Sequence, residues 1–86
     1  MEDIQTLRKR VDEVDDQIIK ALSERVKICK AIGETKKRQG LPVRDQNREN
    51  ELYFRIKEKA AKFQLDSAQI EALYREIVNM CSAVQE

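Results

Sequence analysis

Seven polar side chains lie where the helical periodicity of this sequence expects apolar residues, and their chemistry suits the binding of a small acidic molecule. They are three cations, two acids, one thiol and one amide: Arg25, Lys36, Asp45, Arg48, Glu49, Cys81 and Gln85. Charges that face the inside of a helical bundle are costly unless they meet a ligand or one another. Because the cations outnumber the acids and come from separate segments, they are arranged to clamp a small dianion between helices.

The spacing of these residues explains why they should face inward. Arg25 and Lys36 are eleven residues apart, which is close to three helical turns, so they share one face. Asp45, Arg48 and Glu49 extend the apolar face of the next segment back to its start. Cys81 and Gln85 continue an apolar edge near the end of the chain.

Two structural interpretations compete with ligand binding. The first is an internal ion-pair network, for example of Arg25 with Glu49 and of Arg48 with Asp45, since charge pairs between helices are usually structural. The second makes the first helix an ordinary coiled coil in which Arg25 sets the register. The residues by themselves leave these interpretations open.

Apolar residues at spacings of three and four predict three helices and no strand. We expect the first helix from Asp3 to about Arg38, the second from Asp45 to about Phe63, and the third from Asp66 to the end of the sequence. Each would begin at an aspartate that can cap it. Gly40 and Pro42 should end the first helix and form a joint before the second.

The predicted fold class is therefore all-α, with one long and two shorter helices. A helix of about 35 residues is roughly 50 Å long, whereas a compact domain of 86 residues has a radius of gyration of about 12 Å. The long helix must overhang its two partners and leave part of its apolar stripe uncovered. An intertwined homodimer is the simplest remedy.

Composition narrows the class of protein. The 86 residues predict a single domain spanning residues 1–86, and 17 basic against 16 acidic residues argue against nucleic acid or an acidic membrane as a partner. The segment Met1 to Ile4 has no leader pattern, and no apolar run reaches membrane-spanning length, so we expect a cytoplasmic protein.

The side chains available for chemistry are limited as well. The sequence has no histidine and only two cysteines, Cys29 and Cys81, so we expect reduced, buried thiols, no metal site and no cofactor. A nucleophile activated by histidine is excluded. Any reaction must therefore proceed through fixed charges and hydrogen-bond donors.

Short motifs along nearly the whole chain resemble one known family. In order they are Leu7-Arg8, Val14-Asp15, Glu24-Arg25, Gly33, Lys36, Pro42-Val43-Arg44-Asp45, Arg48-Glu49 and Gln85. This set resembles the all-helical chorismate mutases, which rearrange chorismate to prephenate on the way to phenylalanine and tyrosine. The resemblance implies two interlocked three-helix chains with an active site at each end.

The resemblance also implies a role for each candidate residue. Arg25, Arg48 and Lys36 would hold the carboxylates and the ether oxygen of chorismate. Glu49 and the region of Asp45 would bind its hydroxyl group, and Gln85 its ether oxygen. Cys81 stands where a relative has a serine that bonds a carboxylate, and a thiol is a weaker donor.

Arg8 would come from the other subunit on this resemblance. The spacing supports that, because Arg8 and Lys36 are 28 positions apart, or about 42 Å along one helix. They cannot reach the same ligand from one chain.

Two other functions remain open on the sequence. One is an isochorismate pyruvate lyase, an enzyme built on the same scaffold that also uses a lysine near the ether oxygen. The other is a non-catalytic helical regulatory or interaction module that works with a partner enzyme of the aromatic pathway.

Overall fold

The computed structural model describes residues 3–86, which form three α-helices and, within that range, no strand. Helix α1 spans Ile4–Gln39, α2 spans Gln46–Lys62 and α3 spans Ser67–Gln85. The all-α class and the three predicted helices are confirmed. Met1 and Glu2, on which the expected absence of a leader pattern partly rests, lie outside the described residues.

Three aspartates fix where the helices begin. Asp3, Asp45 and Asp66 each have an extended backbone and accept a hydrogen bond from the backbone N–H three residues later, at 2.8, 3.1 and 2.9 Å. Such a cap satisfies a donor that has no partner within the helix and is worth about 1 kcal/mol. The start of each helix is therefore encoded locally.

Residues in the left-handed region end the first two helices. Gly40 has φ 68°, a conformation that favours glycine, and Leu41 N–H then donates to the carbonyl of Lys36 over 2.9 Å. Gln64 takes φ 63° after α2, and Leu65 N–H donates to the carbonyl of Ala60 over 2.8 Å. The chain can thus reverse within a few residues at both places.

Helix α3 packs against both α1 and α2, so it is the element that holds the other two together. The hydrophobic core lies between α2 and α3. Its buried residues are Leu52, Tyr53, Ile56 and Val78, with Ile70 and Tyr74 packed against them. The ion pair between Lys57 and Glu71, at 2.6 Å, joins the same two helices at their surface.

The N-terminal half of α1 projects beyond this core. The longest dimension is 57 Å and the radius of gyration is 16.2 Å, well above the value of about 12 Å for a compact chain of this length. Every residue from Asp3 to Ala21 is exposed, including five at helical spacing: Ile4, Leu7, Val11, Val14 and Ile18. The predicted overhang is therefore observed. None of the helices within residues 3–86 is both long and apolar enough to cross a membrane.

Candidate active site

One cavity of about 240 Å³ lies where α1, the joint after it, the start of α2 and the end of α3 meet. All seven inward candidates line it: Arg25, Lys36, Asp45, Arg48, Glu49, Cys81 and Gln85. Cys81 and Gln85 are buried, whereas Asp45 and Arg48 are exposed at the rim. The joint that reverses the chain thus brings residues as distant in sequence as Arg25 and Gln85 to one cavity.

Lys36 and Gln85 form a linked pair on the wall of the cavity. Lys36 Nζ donates to Gln85 Oε1 over 3.0 Å and to the backbone carbonyl of Val43. An ammonium has three donors, so one N–H remains for a ligand. Gln85 presents its amide oxygen to Lys36, which leaves its NH₂ group as the donor for a ligand. Only 8% of Gln85 is exposed, and its backbone lies against Gly33.

Arg25 contacts two sulfur atoms. One of its terminal nitrogens, Nη1, lies 2.7 Å from Cys81 Sγ and 3.7 Å from Cys29 Sγ. Both cysteines are free and buried, and Cys29 also lines the cavity. Burial and a hydrogen bond with Cys81 raise the pKa of the Cys29 thiol to about 11, so Cys29 is a neutral thiol at pH 7. The guanidinium of Arg25 is thus held by neighbours that leave its charge available.

Glu49 pairs with Arg44 rather than with Arg25. Arg44 Nε lies 3.0 Å from Glu49 Oε2, and Arg44 Nη2 lies 2.8 Å from Glu49 Oε1. This bidentate hydrogen bonding lowers the pKa of Glu49, although burial acts in the opposite direction. The ion-pair interpretation offered Arg25 as an example of a partner for Glu49, whereas the structure pairs Glu49 with Arg44 in the joint.

The side chains of Arg48 and Asp45, the second example pair of that interpretation, also have other partners. Asp45 uses its carboxylate to cap α2, and it bonds the backbone of Arg48 rather than its side chain. The guanidinium of Arg48 lies 3.6 Å from Glu51 on the solvent side, with 63% of the side chain exposed. Glu49 in the first turn of α2 therefore binds Arg44, and Asp45 at the N-cap binds the backbone of the helix.

Arg44 was missed as a site residue by sequence reasoning, and Arg8 lies elsewhere. Arg44 precedes α2, so helical periodicity does not predict its direction, and its place in the Pro42-to-Asp45 motif was the available signal. Arg8 is exposed on the overhanging half of α1 and does not line the cavity. Its separation of about 42 Å from Lys36 along the helix axis follows from the rise per residue.

Positive charge dominates the cavity. Four cations, Arg25, Lys36, Arg44 and Arg48, line it together with two acids, Asp45 and Glu49. Guanidinium and ammonium groups bind carboxylates through charged hydrogen bonds. The lining of this cavity can therefore bind and orient a small dianion, and it can stabilise negative charge that develops on the ligand.

Comparison with known proteins identifies the family. A family model described as chorismate mutase type II matches residues 7–86. The chain belongs to the type II chorismate mutases. This confirms the resemblance drawn from the motifs.

Two curated relatives of this chain also have names that contain chorismate mutase, in agreement with the family model. The chorismate mutase of Methanocaldococcus jannaschii is 33% identical over 66 residues, which cover 77% of this chain and 67% of that protein. The bifunctional chorismate mutase/prephenate dehydratase of Aquifex aeolicus is 32% identical over 89 residues, which cover 100% of this chain. The chain spans only 25% of the length of that bifunctional relative.

A solved structure shares the fold. A conserved hypothetical protein from Pyrococcus furiosus superimposes with a TM-score of 0.77 at 32% identity, covering 96% of this chain and 95% of that one. The family model and the two curated relatives support mutase activity in aromatic amino acid biosynthesis.

Proposed function

We propose that this chain is an enzyme that rearranges chorismate to prephenate in the cavity between α1, α2 and α3. The observation that carries the proposal is the set of cations from separate elements, Arg25, Lys36 and Arg48, around one cavity beside Gln85. Membership of the type II family gives the substrate. A lyase or a non-catalytic module has no observation of its own in its favour.

The reaction suits a site without histidine. Within one chorismate molecule a C–O bond breaks while a C–C bond forms, and no proton, electron or leaving group passes to the protein. The enzyme must hold the substrate in a compact diaxial conformation. It must also stabilise the partial negative charge that develops on the ether oxygen as the C–O bond stretches.

Orientation is the proposed role of the arginines. Arg25 and Arg48 bind the two carboxylates of chorismate and bring the reacting carbons together, which lowers the entropic part of the barrier. Cys81, which contacts Arg25, lies next to one of these carboxylates. Asp45 and Glu49 are the acceptors for the substrate hydroxyl.

Electrostatic stabilisation is the proposed role of Lys36 and Gln85. They are linked over 3.0 Å, so the unused ammonium N–H and the amide NH₂ can point towards the same ether oxygen. Donors that are fixed before the reaction stabilise developing charge without reorganising. Removing one such donor commonly costs about 3 to 4 kcal/mol in the activation barrier.

We further propose that two chains form an intertwined homodimer. The exposed apolar residues on the overhanging half of α1, among them Val11 at 58% and Val14 at 52% exposure, are the surface a second copy would cover. Arg8 lies on that same half. In the dimer, Arg8 of one chain would therefore reach the cavity of the other and bind a substrate carboxylate.

The setting of the reaction is part of the proposal. Two free cysteines buried beside the cavity fit a reducing compartment, which favours the cytoplasm.

The Aquifex aeolicus relative joins a mutase to a prephenate dehydratase, so we propose that this chain associates with a partner enzyme of the aromatic pathway. Cell fractionation and copurification test these two points.

The experiment that tests the function offers chorismate and isochorismate separately to the purified protein and identifies the products. We expect prephenate from chorismate and no pyruvate from isochorismate. Release of pyruvate from isochorismate would instead identify a lyase. Turnover of neither substrate, without and with an added prephenate-consuming enzyme, would contradict an enzymatic function.

A further inference from the structure

Arg44 connects three elements at the mouth of the cavity, namely the joint that carries it, α2 and α3. Its Nε and Nη2 atoms bind the two carboxylate oxygens of Glu49 on α2 at 3.0 and 2.8 Å. Its third nitrogen, Nη1, lies 3.4 Å from Asn79 Oδ1 on α3. A planar guanidinium that meets a carboxylate in this way fixes its direction as well as its charge.

Both residues line the cavity, and Glu49 is the more buried of the two. Its side chain is 14% exposed, whereas that of Arg44 is 52% exposed, so Arg44 covers the carboxylate towards solvent. An ionised carboxylate has about four acceptor positions. Arg44 uses one on each oxygen, which leaves an acceptor position on each oxygen for a ligand that enters the cavity.

We propose that Arg44 is the positioning residue of the site and holds Glu49 as a fixed acceptor for the substrate hydroxyl. This role rests on the function proposed above. Arg44 also offsets the negative charge of Glu49, which would otherwise repel a dianionic substrate. In this proposal Arg44, although it lines the cavity, acts through Glu49 and not through contacts of its own with the substrate carboxylates or the ether oxygen.

The charges around Glu49 predict how the loss of Arg44 would show itself. Hydrogen bonding to Arg44 is the main cause of the lowered pKa of Glu49; Arg75 on α3 lowers it further and Asp45 raises it. Arg25 and Lys36 on α1 and Arg48 on α2 line the same cavity. Without Arg44 the pKa of Glu49 rises, so Glu49 is protonated at a higher pH and the acid limb of kcat/KM moves upward.

The test compares Arg44→Met with the wild type over pH values from about 4 to 8, a range that includes the ordinary glutamate pKa of about 4.3. A bound hydroxyl is held in both the ground state and the transition state, so KM should rise about five- to tenfold while kcat changes little. Arg44→Lys keeps the charge without the bidentate geometry and should be intermediate. Arg55→Met, at an exposed position of α2 away from the cavity, is the matched control.

A second comparison separates positioning from general stability. In a Glu49→Gln background no carboxylate remains to be held, so adding Arg44→Met should leave the acid limb where Glu49→Gln puts it. Far-UV circular dichroism of each variant over the same pH range shows whether it stays folded. A carbon NMR titration of the Glu49 carboxyl group measures the shift without any turnover.

The possible outcomes separate a failure of the proposed function from a failure of the role proposed for Arg44. A wild-type protein that does not convert chorismate would overturn the proposed function. If the wild type is active, an Arg44→Met variant with unchanged KM, unchanged acid limb and unchanged Glu49 titration would overturn the role of Arg44. If adding Arg44→Met to Glu49→Gln raised KM as much as it does in the wild type, the role would also be overturned, because Arg44 would then act directly on the substrate.

Discussion

Gly33 on α1 lies directly against the backbone of Gln85 on α3. A Cβ atom built on Gly33 would be 2.8 Å from both Cα and Cγ of Gln85, whereas carbon atoms in contact prefer about 3.5 to 4.0 Å. The Cα atom cannot rotate away. A side chain at position 33 would therefore push the two helices apart and move Gln85 away from Lys36.

Gly33→Ala should lower kcat for chorismate about tenfold to a hundredfold, because a small displacement of a fixed donor is costly. Alanine favours the helix by up to about 1 kcal/mol, which offsets part of the steric cost to folding. Steady-state kinetics alongside thermal unfolding measure the two effects separately.

Gly40→Ala is the comparison for Gly33→Ala. Gly40 has φ 68° but open space around its missing side chain, so alanine there should cost about 1 kcal/mol of stability and leave kcat unchanged. Equal kcat in wild type and Gly33→Ala would show that the close approach of α1 to α3 does not position Gln85.

Complementation tests whether one site uses two chains. Arg8→Ala and Lys36→Ala should each be nearly inactive alone, whereas unfolding and refolding an equal mixture should restore activity in heterodimers. One of the two sites in each heterodimer then has both side chains, which predicts about a quarter of the wild-type sites in the mixture. Heterodimers that form but stay inactive would show that Arg8 does not complete the partner's site.

Glu71 should make stability depend on acidity. Its pKa is lowered, chiefly by the hydrogen bond from Lys57. A carboxyl group whose pKa is lower in the folded state stabilises the protein at pH values above its unfolded pKa of about 4.3. This stabilisation is lost as the pH falls through the folded pKa. Urea unfolding at pH 7 and near pH 3.5 should therefore differ less for Glu71→Gln than for the wild type. Glu58→Gln, exposed on α2, is the control, and an unchanged difference in Glu71→Gln would contradict the pairing.

Cys81→Ser should strengthen substrate binding. A hydroxyl is a better donor than a thiol, and one added hydrogen bond is worth about 0.5 to 1.5 kcal/mol, so KM should fall about two- to tenfold with kcat nearly unchanged. Cys81→Ala removes the donor altogether and should not lower KM. If serine and alanine gave the same KM, Cys81 would have no polar contact with the substrate.

Much of the fold could be read from the sequence because its signals are local. Asp3, Asp45 and Asp66 cap the helices, and Gly40 with Pro42 ends the first one, so the boundaries agreed within one or two residues. The overhang of α1 followed from helix length alone. These features depend on backbone geometry, which sequence spacing determines.

Side-chain pairing within the site was less predictable. Arg44 lies in an irregular joint, where no period relates position to direction, and its pair with Glu49 was therefore missed. The guanidinium of Arg48 turns towards Glu51 although helical position alone directed it inward. A long flexible side chain at a helix start can choose between several partners, and only the packed structure decides between them.

In the proposed mechanism Lys36 and the cations around it catalyse the rearrangement of chorismate. Arg48→Ala should lose turnover as Lys36→Ala does, while Lys37→Ala, at the exposed neighbouring position of α1, should keep it. The most direct measurement is the loss of chorismate absorbance, with prephenate identified as the product, for wild type and Lys36→Ala at equal concentration. We predict conversion by the wild type and a decrease in kcat of at least about a hundredfold in folded Lys36→Ala. Conversion at the wild-type rate by Lys36→Ala, or no prephenate from the wild type, would contradict the account.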